Sequence, residues 1–142
     1  MAHNLAPPIG AQDETDETAI MRTVQDYIEG WNEGDAARME RIPHPHLVKR
    51  WVTATPASSW PPGDRLDEMS ALRLVQLTRH DPTSAQERVS TDVTILDRVA
   101  NAASVKIGTM EYLDDYLHLT LWNGRWVIVN VLWEPRPEAP MS

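Results

Sequence analysis

The sequence predicts an α+β fold, with helices packed on one face of a curved, mostly antiparallel sheet. Three observations lead there. Apolar residues recur at helical spacing in the first part of the chain, and after about residue 88 they alternate with a period of two. Between two such alternating runs stands Asn123-Gly124, the dipeptide a type I′ hairpin wants because both central residues need positive φ. Helices followed by a meander of strands imply segregated layers, and a curved sheet wrapped round helices leaves a cavity at its open end.

The elements follow in order. Residues 1–14, with Pro7-Pro8 and Gly10, read as a flexible arm. A helix starts near Thr15, where Thr15 offers a cap and Asp16 and Glu17 suit the helix N-terminus. Ile20, Val24, Tyr27, Ile28 and Trp31 form its apolar stripe, which ends at Gly34. A short second helix has Asp35 as cap and Ala36, Ala37, Met39 and Ile42 inward, and Pro43-His44-Pro45-His46 stops it. Leu47 to Thr53 reads as a strand, with the inward parity open. Residues 56–63 are a proline-rich loop around Trp60, which reads as a lid or a loop anchor. A third helix is expected over about Asp67 to Arg79, then a loop over residues 80–87. Strands are expected over Val89 to Leu96 and Ala102 to Met110. The domain spans 15–134, and the proline-rich residues 135–142 read as a flexible tail.

The final hairpin is the most informative segment. An uninterrupted register from the turn sets Trp122 opposite Arg125, Leu119 opposite Ile128, Leu117 opposite Asn130 and Asp115 opposite Leu132. One face then carries Leu113, Leu117, Leu119, Leu121, Trp126, Ile128 and Leu132, a core face, and with them Asp115 and Asn130. A carboxylate and an amide among apolar residues must be paired or line a cavity. The opposite face, with Tyr116, His118, Val129 and Val131, is apolar and aromatic enough to imply a homodimer formed sheet to sheet.

Composition excludes several classes. A net charge of −8 argues against nucleic acid and against an anionic membrane surface. No apolar run approaches the ~18 residues a spanning helix needs, and the N-terminus lacks a signal-peptide pattern. With no cysteine there is no thiolate nucleophile or zinc–cysteine site, which suits a cytoplasmic protein. His44-x-His46 lacks a nearby third ligand, so no metal site is expected, and no phosphate loop, serine elbow or dinucleotide fingerprint implies a cofactor.

Several words of the sequence resemble the nuclear-transport-factor-2-like superfamily: DYIEGWNEGDAARME (26–40), HPHLVKR (44–50), MSALRLV (69–75), DVTILD (92–97) and DYLHLTLWNGRWVIVNVLW (115–133). Within it the chain is most similar to the group named "putative lumazine-binding", or ketosteroid-isomerase-like (SnoaL-like), proteins. The resemblance implies a cone-shaped α+β barrel, three N-terminal helices on a curved sheet, and frequent dimers. It hosts isomerases, hydrolases, cyclases, dehydratases and binders on one scaffold. Relatives commonly have Asp where this chain has His46.

Asp115 is the candidate general base, because burial on an apolar face raises a carboxyl pKa toward the useful range. The alternative for it is a structural hydrogen bond at the rim. Asn130 is expected to orient substrate or donate to a developing oxyanion, and His46 to assist as a group that titrates near neutrality. Tyr27, Trp31, Trp51, Trp126 and Leu132 are the expected ligand-binding wall. The reading is a small-molecule-binding protein acting, without cofactor, as an isomerase, lyase or cyclase on a small apolar substrate; the alternative is a binder that holds a ring-shaped ligand without chemistry.

Overall fold

A computed structural model of the chain describes residues 15–55, 58–80, 91–109 and 113–135. The expected arm, the tail beyond residue 135, Pro56 and Ala57, the loop after His80, Val89, Met110 and Tyr112 lie outside the described residues. Helix α1 (Asp16–Glu33) begins where the Thr15 hydroxyl accepts the Thr18 amide at 3.1 Å. It buries Ile20, Val24 and Tyr27, the expected stripe. It stops at Gly34, whose φ of +66° is the left-handed conformation that closes a helix. Asp35 then caps α2 (Ala36–Glu40) by accepting the Arg38 amide at 3.0 Å. The Arg38 guanidinium reaches back to α1, with Asp26 and Glu29 each at 2.6 Å, and holds the two helices together.

Strand β1 (Pro43–Thr53) is followed by β2 (Arg65–Ser70) and only then by α3 (Ala71–Thr78). The helix expected from Asp67 is therefore a strand over its first part. Residues Leu66 to Ser70 pair antiparallel with β1, from Val52↔Leu66 to Val48↔Ser70. Ladder hydrogen bonds and the half-burial of Asp67 and Met69 outweigh helical periodicity there. Ser70 supplies the real helix start, accepting the Arg73 amide at 3.1 Å.

Strands β3 (Thr91–Val99), β4 (Ala102–Thr109), β5 (Leu113–Trp122) and β6 (Arg125–Pro135) complete a six-stranded sheet in the order β2-β1-β6-β5-β4-β3. All pairs are antiparallel except β1 with β6. Asn123 (φ 50°) and Gly124 (φ 82°) make the two-residue turn that the sequence predicts. Register breaks in β1 (between Pro43 and Val48), in β3 (between Ile95 and Asp97) and in the β5–β6 pair bend the sheet. It curves round the helices without closing. Its concave side buries Val105, Ile107, Leu117, Leu119, Ile128 and Val131 against α1 and the other helices.

Two glycines near the α1–α2 junction separate backbone strain from packing. At Gly34 a Cβ would require the left-handed conformation and collide with the His80 carbonyl oxygen. At Gly30, inside α1, a Cβ would meet the Met39 amide nitrogen at an ordinary 3.6 Å. Gly34→Ala is expected to lose more than about 1–2 kcal/mol, since the clash adds to the left-handed penalty. Gly30→Ala should be neutral or gain up to ~1 kcal/mol from helix propensity. Urea unfolding midpoints check the opposite signs.

Candidate functional site

The inward parity of β1 is set by its partners. Leu47 is buried in the core; Lys49, opposite Val131 on β6, points at α1, where its Nζ donates to the Tyr27 hydroxyl at 2.8 Å. Two residues on, Trp51 stacks on Trp133, ring centroids 5.8 Å apart and planes 24° apart. Asp115 lies opposite Trp133 on β5, on the same face as buried Leu117 and Leu119. A phenol from α1, an ammonium from β1 and a carboxylate from β5 thus share one end of the concave face, beside a Trp pair.

Their electrostatics are mutual. Burial pushes the Asp115 carboxyl above its ordinary range, neighbouring Asp114 adds to this, and Lys49 partly offsets it. Burial alone would lower the Lys49 pKa, but Tyr27 and Asp115 outweigh it and the net shift is upward. The Tyr27 phenol is raised as well, first by burial and then by Asp115, against the opposing pull of Lys49. At neutral pH Lys49 is therefore an ammonium and Tyr27 a neutral phenol that keeps its own proton while accepting from Lys49. A long aliphatic stem lets a lysine stand on an apolar face while its head finds a polar partner.

Other expected site residues fall elsewhere, and for Asn130 and Leu132 one cause accounts for it. Beyond Leu119↔Ile128 the register shifts, so His118 faces Asn130, Leu117 faces Val131, Tyr116 faces Leu132 and Asp115 faces Trp133. Val129 is the extra residue, and every β6 side chain after it changes face. Asn130 and Leu132 are accordingly on the outer face and not beside Asp115. Asn130 contacts His118 Nδ1 at 3.3 Å and accepts from Arg50 at 3.2 Å, and Leu132 is 45% exposed. Val131, expected outside, is fully buried. Trp133 takes the place expected of Leu132.

His46 is exposed, its amide bonded to the His44 ring, and His44 packs on Trp122 near the hairpin turn, at the opposite end of the sheet from Asp115. Trp126 is also at the turn end: its indole donates to Asp16 at 3.3 Å, about 20 Å along the strand from Trp133 by the ordinary rise per residue. Trp31 packs edge-on to His80 at 4.9 Å, and Trp60 is almost wholly exposed. Sequence reasoning missed Lys49 and Trp133. For Trp133 a signal existed: one extra residue in β6 takes Asn130 out of the core and sets it against polar His118. For Lys49 both parities of β1 carry a base, so nothing local distinguished it. Among the described residues no three His, Asp or Glu side chains converge as a metal site requires.

A family described as "Putative lumazine-binding" matches residues 15–134. The chain belongs to that family. Similar solved structures include an NTF-2 like protein of unknown function from Silicibacter pomeroyi (18% identity, TM-score 0.66, 84% of this chain and 95% of that one). Another is an NTF2-like protein of unknown function from Shewanella baltica (18% identity, TM-score 0.64, 94% and 100%). A third is titled a "putative ketosteroid isomerase", from Parabacteroides distasonis (9% identity, TM-score 0.59, 89% and 92%). At these identities the likeness bears on the NTF2-like fold alone. No curated protein matches the chain.

In this member of the family the arrangement sets a carboxyl with a raised pKa near two protonated groups, the Lys49 ammonium and the Tyr27 phenol. Folding raises the Asp115 pKa above 3.8, so the folded chain holds that proton more tightly than the unfolded one. The linked stability is complete below the unfolded value and is lost as pH climbs through the folded one. The stability of Asp115→Asn relative to wild type should therefore increase as pH rises above about 4. Urea titrations at a series of pH values measure it; a difference that shrinks with rising pH would contradict the assignment.

Proposed function

We propose that the chain binds a small ring-containing molecule at the open end of its curved sheet and acts on it by proton transfer. The observation that carries this is the Tyr27–Lys49 hydrogen bond beside Asp115, three polar groups converging on an otherwise apolar face. Asp115 is the general base, with a pKa moved toward working pH by burial. The Lys49 ammonium and the Tyr27 phenol stabilise the negative charge that develops on a substrate oxygen once a neighbouring C–H proton is taken. Trp51 and Trp133 form the wall for a flat ring. This chemistry is that of an isomerase, lyase or cyclase.

A second reading, favoured by the same stacked Trp pair, is ligand storage or transport without chemistry. Lumazine, the ring system named in the family's description, is a first binding probe for both. Native mass spectrometry of the chain purified from its own host identifies the occupant. Incubated with that molecule in D₂O, the wild-type chain should exchange its acidic C–H. Asp115→Asn should still bind but exchange slower by at least ~100-fold, the usual contribution of a positioned base. Equal exchange by the two proteins, or none by either, would leave only the binding reading.

The functional unit in this proposal is a homodimer joined through the outer sheet face. That face is composed of Tyr116, His118, Asn130 and Leu132 with Val52 and Leu66 of the β1–β2 edge, a revision of the set expected from the uninterrupted register. Val52, Leu66 and Leu132 are 47%, 59% and 45% exposed, large apolar side chains on one face, beside the Arg50–Glu68 ion pair, that a monomer leaves in water. Light scattering at micromolar concentration should give twice the chain mass for wild type, and the chain mass for a Leu66→Asp/Leu132→Asp double variant.

A further inference from the structure

A cleft that forms a second candidate site lies at the hairpin-turn end of the concave face, at the opposite end of the sheet from Asp115. It has a volume of about 750 Å³ and is walled by α1, by α2 with Arg41 just after it, and by the turn of the β5–β6 hairpin. That volume is within the range of ordinary small-molecule sites. Its lining is cationic in a chain whose net charge is −8: four of the thirteen Lys and Arg residues, Arg22, Arg38, Arg41 and Arg125, border this one cleft.

The two carboxylates in the lining do not cancel that charge. Asp26 is taken up by Arg38, at 2.6 Å. Asp16 is held by Arg98 at 3.0 Å and accepts the Trp126 indole N–H. Arg38 is spoken for by Asp26, Glu29 and Glu33 and serves as wall. Arg41 and Arg125 have no carboxylate within ion-pair distance among the described residues; the one polar contact of the Arg41 side chain is to the Ala37 carbonyl at 3.3 Å. Both are solvent-exposed. Trp126 and Ile42, nearly buried, give the cleft a rigid apolar floor.

We infer that this cleft is a binding site for a small organic anion carrying a phosphate or carboxylate group, held by the Arg41 and Arg125 guanidinium groups. Guanidinium forks match the oxygen pairs of either group. The concave shape and the volume of about 750 Å³ suit a small molecule and not a flat macromolecular surface. The site is independent of the chemistry assigned to Asp115 and stands if that assignment fails.

The Trp126 indole N–H and the Gly124 amide, both bordering the cleft, give NMR signals that report occupancy. Phenyl phosphate and phthalate distinguish phosphate from carboxylate recognition, and phenol is the uncharged control. Saturable shifts of both signals are expected with at least one anion and not with phenol. Arg41→Gln/Arg125→Gln, checked for folding by circular dichroism, should weaken that binding by about tenfold or more, the worth of a lost charge-assisted pair. Lys49→Met, at the other site, should leave it unchanged. The inference is overturned if neither anion saturates the shifts by millimolar concentration, if phenol shifts them equally, if the double Gln variant binds like wild type, or if Lys49→Met abolishes binding.

Discussion

The open end of this fold is organised by the extra residue that β6 carries between Ile128 and Asn130. Before it, side chains facing the helices come from Trp126 and Ile128; after it, they come from Val131 and Trp133. An uninterrupted strand would have put Asn130 and Leu132 among the core residues and Val131 and Trp133 in solvent. The shift removes the amide from an apolar environment, where an unpaired polar group is costly. In its place it supplies the indole that stacks on Trp51. The bend that accompanies a bulge also helps turn the sheet round α1.

Once Trp133 faces inward, β1 and β6 present one surface, and their parallel register puts Lys49 beside Val131 and Trp51 beside Trp133. Lys49 can stand there because α1 offers the Tyr27 hydroxyl at 2.8 Å. Asp115 experiences both effects of that position: desolvation by the apolar sheet raises its pKa, and the ammonium restrains the rise. A buried charge arrangement of this kind is poor at stabilising a fold compared with apolar residues of similar volume. Functional sites are where such local costs are usually found.

Helix α1 serves three surfaces at once. Ile20 and Val24 anchor it in the core, Tyr27 meets the ammonium at one end, and Asp16 and Thr23 bind Trp126 at the other. Arg38 ties α2 to the exposed flank of the same helix through Asp26 and Glu29. The second cleft exists because that clamp holds α2 beside the hairpin turn, where Ile42 passes its carbonyl to the Ile128 amide at 3.0 Å.

Local chemistry was enough to determine much of the architecture. The Thr15 and Asp35 caps, Gly34, the Asn123-Gly124 turn and the alternation of β5 each depend on neighbours a few residues away, and such signals are written in consecutive residues. The family words span the same domain. Asp115 was legible as a carboxylate on a core face for the same reason. What only the tertiary structure decided was longer in range. Val127 to Leu132 is apolar at both parities except for Asn130, so that one amide was the only trace the bulge left in the sequence. Val48 to Val52 carries a base on each face, so only the Tyr27 hydroxyl, 22 residues away, selects Lys49. Leu66 to Ser70 became a strand because the edge of β1 was open to it. Pairing across the sheet involves residues far apart in sequence, and single-strand periodicity contains no information about which partner arrives.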